Sequence, residues 1–243
     1  MKNKESKFKN KAFIGRLIFF IVFAIIATIL VIRLFPLIMN LSTQTGRIEF
    51  KDQIREMGFG GVLLLFGLQL AQILLIILPG EPLEVLAGMC YGAWGGALFI
   101  LICVFITTSG IYFLTAKLGK SFLYNFFSKE KIDKIENSKL LKKTSTIETV
   151  MIILFLIPGT PKDLLTYIGA LLPIKPIRFI LIATLARFPS VISSTLAGDT
   201  LTRGNWHISI AIYAITFVIT GISIYFINKN NKKESQEMMD IFK

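Results

Sequence analysis

Long stretches without Asp, Glu, Lys or Arg alternate along this chain with short, strongly basic segments. Each uncharged stretch is in or near the length that an α-helix needs to cross about 30 Å of hydrocarbon. The clearest of them are Leu17–Ile32, Met57–Gly80, Val85–Ala116 and Ile208–Ile227. The pattern therefore predicts an all-α, polytopic membrane protein.

Composition and charge support this prediction and indicate an orientation. The chain is 53% hydrophobic with a mean hydropathy of +0.67, and its formal net charge is +12. Lys and Arg mark cytoplasmic loops and contact anionic lipid headgroups, so we expect membrane lipids as partners and no nucleic acid. The basic segments lie at 1–11, 117–143, 175–178 and 229–233. We expect a multi-pass protein of a bacterial plasma membrane with cytoplasmic N- and C-termini.

Two short polar breaks interrupt the apolar sequence, Pro79-Gly80-Glu81-Pro82-Leu83-Glu84 and Pro158-Gly159-Thr160-Pro161-Lys162-Asp163. Proline and glycine break helices, and charge is expensive in lipid. Two such breaks in corresponding places are the best sequence pointer to a transport site. We interpret them as hairpin tips, with the structural residues Pro79, Gly80, Pro82, Pro158, Gly159 and Pro161.

The basic segments and run lengths predict two re-entrant helical hairpins of opposite orientation. A first transmembrane helix carries the chain from the cytoplasmic segment 1–11 to the outer side. Segment 117–143 can be cytoplasmic as well only if residues 58–91 enter and leave the membrane on that outer side, before the span that follows them. The half-length runs of Thr149–Ile174 must then enter and leave on the inner side. Each hairpin is followed by a transmembrane helix, and similar motifs recur in order in both halves, which predicts an inverted repeat.

Glycines are expected to divide the long run Val85–Ala116, which as one helix would measure about 48 Å. We predict a half-helix over Leu83–Tyr91 and a full span over Ala97–Ala116, separated by Gly92, Gly95 and Gly96. Close helix packing is the alternative use of these glycines.

The predicted organisation has four parts. Residues 1–12 form a cytoplasmic basic N-terminus, and 13–57 hold a first transmembrane helix and an outer surface helix. Residues 58–200 are the core with both hairpins, and 201–243 contain the last transmembrane helix and a cytoplasmic tail. The surface helix is inferred from Phe50, Ile54 and Met57, which share one helical face. A connector helix packed on the bundle is equally compatible with that pattern.

Ionisable side chains near the two breaks form the candidate substrate and proton site. Each charge at the bilayer centre costs about 3 kcal/mol, and half-helices starting at Leu83 and Leu164 would direct N–H groups towards an anion there. Alternatively, the acids pair with the bases and hold the bundle together. The candidates are Glu81, Glu84, Lys162, Asp163, Arg187 and Asp199, the last expected at the outer interface.

Enzyme and cofactor signatures are missing from the sequence. It contains no Gly-x-Ser-x-Gly elbow, no His-Glu-x-x-His and no P-loop. Cys90 and Cys103 have no metal-ligand or disulfide spacing and are expected to be buried thiols. We therefore expect a protein that is not an enzyme and needs no cofactor or metal.

The motifs in both halves resemble the VTT-domain (SNARE-associated Golgi protein) family of the DedA superfamily, closest to its Tvp-like branch, over roughly residues 60–200. The motifs in the first half are Pro-Gly-x-Pro with Glu81, then Gly88, Tyr91-Gly92 and Gly95-Gly96. Those in the second half are Pro158 to Asp163, Tyr167, Gly169, Arg187-Phe188-Pro189-Ser190 and Gly198-Asp199.

This resemblance implies two opposed re-entrant hairpins and a role in moving lipids across the bilayer. By position, Glu81 and Asp163 match the family's hairpin acids and Arg187 its later arginine. Many members carry an arginine where this chain has Phe155. Lys162 is the candidate replacement for that charge, and the substrate stays open.

The expected function is an integral membrane lipid transporter or scramblase that moves phospholipid or polyprenyl phosphate between leaflets, with a proton link left open. The alternatives are a proton-coupled transporter of a small ion or solute and a non-transporting membrane assembly factor. The sequence leaves the oligomeric state, including a homo-oligomer, undecided.

Overall fold

The computed structural model describes residues 40–41, 43–75, 79–119, 123–124, 129–130, 132–133, 144–156 and 162–230. Every regular element in these ranges is helical, which confirms the all-α prediction for this part of the chain. The helices are α1 (Gln44–Glu56), α2 (Phe59–Leu75), α3 (Glu81–Leu118), α4 (Thr144–Leu156), α5 (Lys162–Ile168) with a 3₁₀ turn at Gly169–Leu171, α6 (Pro176–Leu185), α7 (Phe188–Thr202) and α8 (Trp206–Asn230).

Several predicted features lie outside the described residues. These are the basic N-terminus, the first transmembrane helix, most of the basic segment 117–143, the tip residues Pro158, Gly159 and Pro161, and the tail from residue 231.

The chain divides into two compact units, Met1–Phe50 and Lys51–Lys243. The described part of the first unit contains the start of α1, where the Gly46 N–H donates to the Thr43 hydroxyl (3.1 Å). A threonine there satisfies an N–H group that the first helical turn leaves free.

The helix predicted from Phe50, Ile54 and Met57 is present as α1, and two of these three residues are buried. Phe50 is 5% and Ile54 3% exposed, whereas Met57 is 51% exposed. Met57 lies beyond the last residue of α1, just before Gly58, whose φ of 54° ends the helix. Ile54 shares a cavity wall with Tyr91, and this burial favours a connector helix over one resting only on a surface.

Two helices among the described residues are long and apolar enough to cross a membrane, Glu81–Leu118 and Pro176–Thr202. The helices Gln44–Glu56 and Phe59–Leu74 meet at a bend of 113°. If this bent pair is one broken span, the described residues contain three candidate spans. The second of these spans comprises α6 and α7, which meet at a turn containing Arg187. Arg187 therefore lies near the middle of this span, which has the length and composition expected of the transmembrane helix after the second break.

Gly92 interrupts α3, as the length of Val85–Ala116 predicted. Its φ of 77° and ψ of 173° lie in a region that is essentially limited to glycine. A β-carbon on Gly96 would lie 2.8 Å from backbone atoms of Ala87 and Gly88. A straight helix would hold these positions about 13 Å apart, so the chain reverses at Gly92. We call residues 81–91 α3a and residues 93–118 α3b.

Glycines also bring α3a against α7 with almost no space between the two backbones. A β-carbon on Gly88 would collide with the carbonyl oxygen of Thr195, and one on Gly198 with that of Val85. Small residues permit such close approach between membrane helices. The two proposed uses of glycine, a break and close packing, therefore both occur, at different positions.

The second half packs around large buried side chains of α4, α5 and α6. Tyr167, Phe155 and Phe179 are each 0% exposed and belong to one hydrophobic cluster. Gly169 lies against the Phe179 ring, with no room for a β-carbon. The first halves of α4 and α6 are also joined by an ion pair, in which Arg178 Nη1 lies 3.3 Å from Glu148 Oε1.

Three helices begin earlier than the sequence pattern predicted. Helix α3 begins at Glu81 instead of Leu83, α5 at Lys162 instead of Leu164, and α4 at Thr144 instead of Thr149. In α3 and α5 the extra first turn contains an acidic residue. Carboxylates favour helix N-termini because of the positive end of the helix dipole, so these charged residues extend the helices that they were expected to precede.

Candidate functional site

The centre of the site is an ion pair between α5 and the start of α7. Arg187 Nη1 donates to Asp163 Oδ1 at 2.9 Å, and the two side chains are only 7% and 17% exposed. Arg187 Nη2 donates to the Thr166 hydroxyl at 3.0 Å. The structure therefore brings together two of the predicted candidates. This acid–base pairing is the one expected if the charges hold the bundle together.

Gln72 of α2 completes the shell around Asp163 and was not among the predicted site residues. Its Nε2 donates to Asp163 Oδ2 at 2.7 Å, while its Oε1 accepts from Gln69 Nε2 at 3.2 Å. Gln69 and Gln72 are 2% and 1% exposed. A β-carbon on Gly80 would lie 3.4 Å from the Gln72 side chain. Gln72 thus lies between the first Pro-Gly break and helix α5.

A second contact between the same elements lies beside the first. The Tyr167 hydroxyl of α5 donates to the backbone carbonyl of Leu74 at 3.0 Å. A buried hydroxyl that finds a backbone acceptor fixes the register between two helices, since an unmade hydrogen bond there is costly. The end of α2 and helix α5 are therefore joined by two polar contacts.

Phe155, at the position where the resemblance led us to expect an arginine, lies against Arg187. The Arg187 guanidinium carbon is 5.2 Å from the Phe155 ring centroid, a cation–π distance. Phe155 also contacts Phe179 edge-on at 6.2 Å. An arginine at 155 would place a second cation beside Arg187, whereas the phenylalanine supplies a face on which its guanidinium rests.

Glu84, Lys162 and Glu81 form the more open part of the charged centre. Lys162 has the strongest charge–charge interaction with the Glu84 carboxyl, and Glu81 and Arg187 also interact with that carboxyl. Glu84 Oε2 is buried and has no hydrogen-bond partner in the described part of the chain. Neither Lys162 nor Glu81 makes an ion pair within 4 Å among the residues that the structure describes. These three groups are therefore available to a ligand or a proton in a way that Asp163 is not.

A cavity of about 430 Å³ lies beside this open part, between the first break, α7 and α8. Its wall combines Glu81 with hydroxyl groups from α7 and α8 and with apolar surface. Ser194, in that wall, is the hydroxyl that both the Glu84 carboxyl and the Tyr213 hydroxyl approach. The lining residues are Pro79, Glu81, Pro82, Ser190, Ser193, Ser194, Tyr213, Thr216 and Phe217.

The polar wall of this cavity was not predicted from the sequence. The Arg187 motif contains Ser190, but no sequence motif contains Ser193, Ser194 or Tyr213. The only available signal was three serines within five residues of an otherwise apolar crossing. A helix can satisfy a serine hydroxyl on its own backbone, as Ser193 does with the Ser190 carbonyl at 2.7 Å, so the signal alone is weak.

Asp199 lies away from this centre, and its position at the outer interface stays a prediction. In the last turn of α7 it accepts from Arg203 Nε at 3.1 Å and Nη2 at 2.9 Å. This hydrogen bonding and the charge of Asp199 raise the pKa of Arg203 above its usual value. The other five candidates lie around the break, and Asp199 belongs to a different part of the surface.

The geometry separates two kinds of chemistry. Asp163 has both carboxylate oxygens occupied, by Arg187 and Gln72, so this pair holds elements together. Lys162 can receive an anion, and Glu84 and Glu81 can hold or release a proton. Polar groups and a cavity thus lie together among apolar helices, and in a membrane polar groups are tolerated beside such cavities.

Comparison with known proteins identifies a family. The profile of the VTT domain matches residues 78–200, half of the chain, which include α3, α5, α6 and most of α7. No curated protein and no solved structure matches the chain. The matched segment contains Glu81, Glu84, Lys162, Asp163 and Arg187 together with two apolar helices long enough to cross a membrane. The chain is a membrane protein that belongs to the VTT-domain family.

Proposed function

We propose that this protein moves lipids between membrane leaflets, as a transporter or scramblase for phospholipid or polyprenyl phosphate. The observation that carries the proposal is the 430 Å³ cavity lined by Glu81 and by hydroxyls of α7 and α8, beside the charges of Lys162 and Glu84. A polar headgroup needs such a path because each exposed charge or unpaired polar group is costly in hydrocarbon. Its acyl chains would stay in the surrounding lipid.

The proposal includes the two re-entrant hairpins, and two contacts support them. Gly58 and Gly92, which bound the first hairpin, line one cavity. Glu148 and Arg178, which bound the second, form an ion pair at 3.3 Å. A hairpin that enters and leaves on one side of the membrane brings its ends together, whereas a crossing segment separates them by about 30 Å.

Within this site we assign different roles to the two basic residues. Lys162 would bind the phosphate of the headgroup, since it has no ion-pair partner among the described residues. Arg187 would position α5 against α7 through Asp163 and Thr166. The charges of Lys162 and Arg187 lie close enough to interact, and Arg187 rests on the Phe155 ring. We therefore assign to Lys162 the cationic role that Phe155 does not fill.

A flipping assay in proteoliposomes tests this proposal. Vesicles with a trace of fluorescent phospholipid or labelled polyprenyl phosphate are treated with a membrane-impermeant quencher, and the quenched fraction reports exchange between leaflets. We expect protein-dependent exchange that Lys162→Met slows by about 10- to 100-fold, the equivalent of one charged hydrogen bond. Lys175→Met, which removes an exposed cation at the start of α6, is the matched control and should exchange lipid at the wild-type rate.

Two results would overturn the assignment. Lipid exchange that is absent with the wild-type protein contradicts the function, and equal slowing by Lys162→Met and Lys175→Met contradicts the site.

A second candidate function is proton-coupled transport of a small ion or solute, favoured by the buried, unpartnered Glu84 Oε2. Solute uptake that follows an imposed pH gradient, is lost in Glu84→Gln and occurs without lipid exchange would establish it instead. The third alternative, an assembly factor without transport, is favoured only by the closed Asp163–Arg187 pair. We propose no enzymatic activity.

A further inference from the structure

We propose that a second cavity, at the opposite end of α7 from Arg187, binds an anionic phosphate-bearing headgroup at the membrane surface. The cavity measures about 530 Å³, within the usual range of ligand pockets of about 300–1,000 Å³. Its polar lining consists of side chains from α1, from the Gly92 turn and from the end of α7. They are Lys51, Arg55, Tyr91, Asp199 and Arg203.

The charge balance of this cavity favours an anion. Lys51, Arg55 and Arg203 face a single carboxylate, that of Asp199. Asp199 is engaged by Arg203 through two hydrogen bonds, while Lys51 and Arg55 make no ion pair with any residue that the structure describes. Three cations against one anion leave two positive charges without a partner, which a phosphate monoanion or dianion would neutralise.

The geometry suits a phosphate group in particular. Lys51 and Arg55 are four residues apart on α1, so they lie on the same helical face. Arg203 approaches from α7, where Asp199 holds its guanidinium in one orientation. Asp199 occupies Nε and Nη2 of this guanidinium, which leaves Nη1 to donate to a phosphate oxygen, and lysine adds a mobile point charge. The Tyr91 hydroxyl, without a partner among the described residues, adds a neutral donor.

Gly92 gives this cavity its shape. Its positive φ turns the chain between α3a and α3b, and a β-carbon at this position would meet nothing within 4 Å. The turn therefore borders open space. Because α7 ends at Thr202, the end of a candidate span, the cavity lies where lipid headgroups are found.

The second cavity is independent of the proposed transport site. It shares no lining residue with the cavity beside Glu81. The phosphate group could belong to a lipid headgroup or to free inorganic phosphate. The two ligands differ in whether the phosphate is attached to a lipid. Binding here can therefore be tested without any transport measurement, and failure of one proposal leaves the other intact.

The test measures binding of short-chain lipids to the purified full-length protein in an uncharged detergent. The probes are dioctanoyl phosphatidylglycerol, dioctanoyl phosphatidylcholine and inorganic phosphate, and native mass spectrometry counts the bound molecules. We expect one tight site for phosphatidylglycerol and weaker binding of phosphatidylcholine. Lys51→Gln with Arg55→Gln should weaken phosphatidylglycerol binding about 25-fold, about fivefold for each cation.

Two further variants separate this site from general surface charge and from misfolding. Lys117→Gln with Lys175→Gln removes two exposed cations elsewhere and should leave binding unchanged. Asp199→Asn removes the one acid of the cavity and should strengthen binding about fivefold, a gain that a damaged fold cannot produce.

The outcomes decide both the site and its ligand. Competition by inorganic phosphate would identify the phosphate itself as the ligand, and its absence alongside tight phosphatidylglycerol binding would identify the lipid. Equal losses in the two double variants, or weaker binding in Asp199→Asn, would overturn the proposal.

Discussion

The side chain of Gln72 donates a 2.7 Å hydrogen bond to Asp163 across 91 residues of sequence. Gln72 lies near the end of α2, before the first Pro-Gly break, and Asp163 lies in α5, the helix that follows the second break. The contact explains how a neutral residue of an apolar helix holds a charged group: the amide and Arg187 together satisfy both oxygens of the carboxylate. The polar centre is thus built by contacts between the two halves.

Breaking the Asp163–Arg187 pair on one side should be costly. Arg187→Met or Asp163→Leu alone leaves a buried charge without its partner, and we expect each to lower the free energy of unfolding by about 3–5 kcal/mol. The double variant removes both charges and should lose much less than the sum of the two. Denaturation in detergent of the wild type and the three variants provides the double-mutant cycle. Additive losses would show that the two side chains do not stabilise each other.

Gln72→Leu should destabilise the protein more than Gln69→Leu. The first change removes a hydrogen bond to a charged group, worth about 1.5–3 kcal/mol. The second removes a neutral amide whose own Oε1 has no partner among the residues that the structure describes, so we expect a loss below about 1.5 kcal/mol. Both changes are of one size, on one helix, at buried positions, and the same denaturation measurement compares them. A reversed order would contradict the bridging role of Gln72.

Gly92→Ala should strain the turn between α3a and α3b. The φ and ψ of this residue disfavour any side chain, at a cost of about 1–3 kcal/mol. The control is Gly110→Ala in α3b, where the backbone is helical and nothing lies within 4 Å of the added carbon. There alanine should be neutral or stabilise the helix by up to about 1 kcal/mol. Equal effects on the thermal midpoint in detergent would argue against a reversal at Gly92.

Gly88→Ala and Gly198→Ala should both push α3a away from α7. Each added carbon would collide with a backbone carbonyl, and backbone cannot move as a side chain can, so we expect losses of about 1–3 kcal/mol or more. Gly67→Ala in α2, with open space around the added carbon, should have little effect. Thermal stability in detergent, checked against elution on gel filtration, measures all three. Wild-type stability of both Gly88→Ala and Gly198→Ala would mean that the helices do not touch here.

The sequence was sufficient for features whose signal is physical and local. Proline, glycine and charge in apolar sequence located the first break and five of the charged groups that gather beside it. The length of Val85–Ala116 located the reversal at Gly92, because no single helix of that length fits one span. The inverted repeat remains a prediction, since the tip residues Pro158, Gly159 and Pro161 lie outside the described part of the chain.

Other features could not be read from the sequence because they depend on which helices meet. Gln69 and Gln72 are neutral residues of an apolar helix, so nothing in the sequence marks Gln72 as the partner of Asp163 or Gln69 as the partner of Gln72. The serines of α7 are equally inconspicuous until α8 supplies Tyr213 opposite them. The sequence also does not distinguish Arg187 from Lys162, because only the structure shows that Arg187 pairs with Asp163, while Lys162 makes no ion pair among the described residues.

The measurement that tests the central claim most directly is the accessibility of single cysteines at the two breaks. In a background of Cys90→Ala and Cys103→Ala, Gly80→Cys and Gly159→Cys are labelled with a membrane-impermeant maleimide from each side of sealed vesicles. Cysteines at Asn205 and Lys175, exposed positions expected on the outer and inner sides, calibrate the two faces. Two opposed hairpins predict that Gly80→Cys is labelled only from the outer side and Gly159→Cys only from the inner side. Labelling of both from the same side would contradict the account.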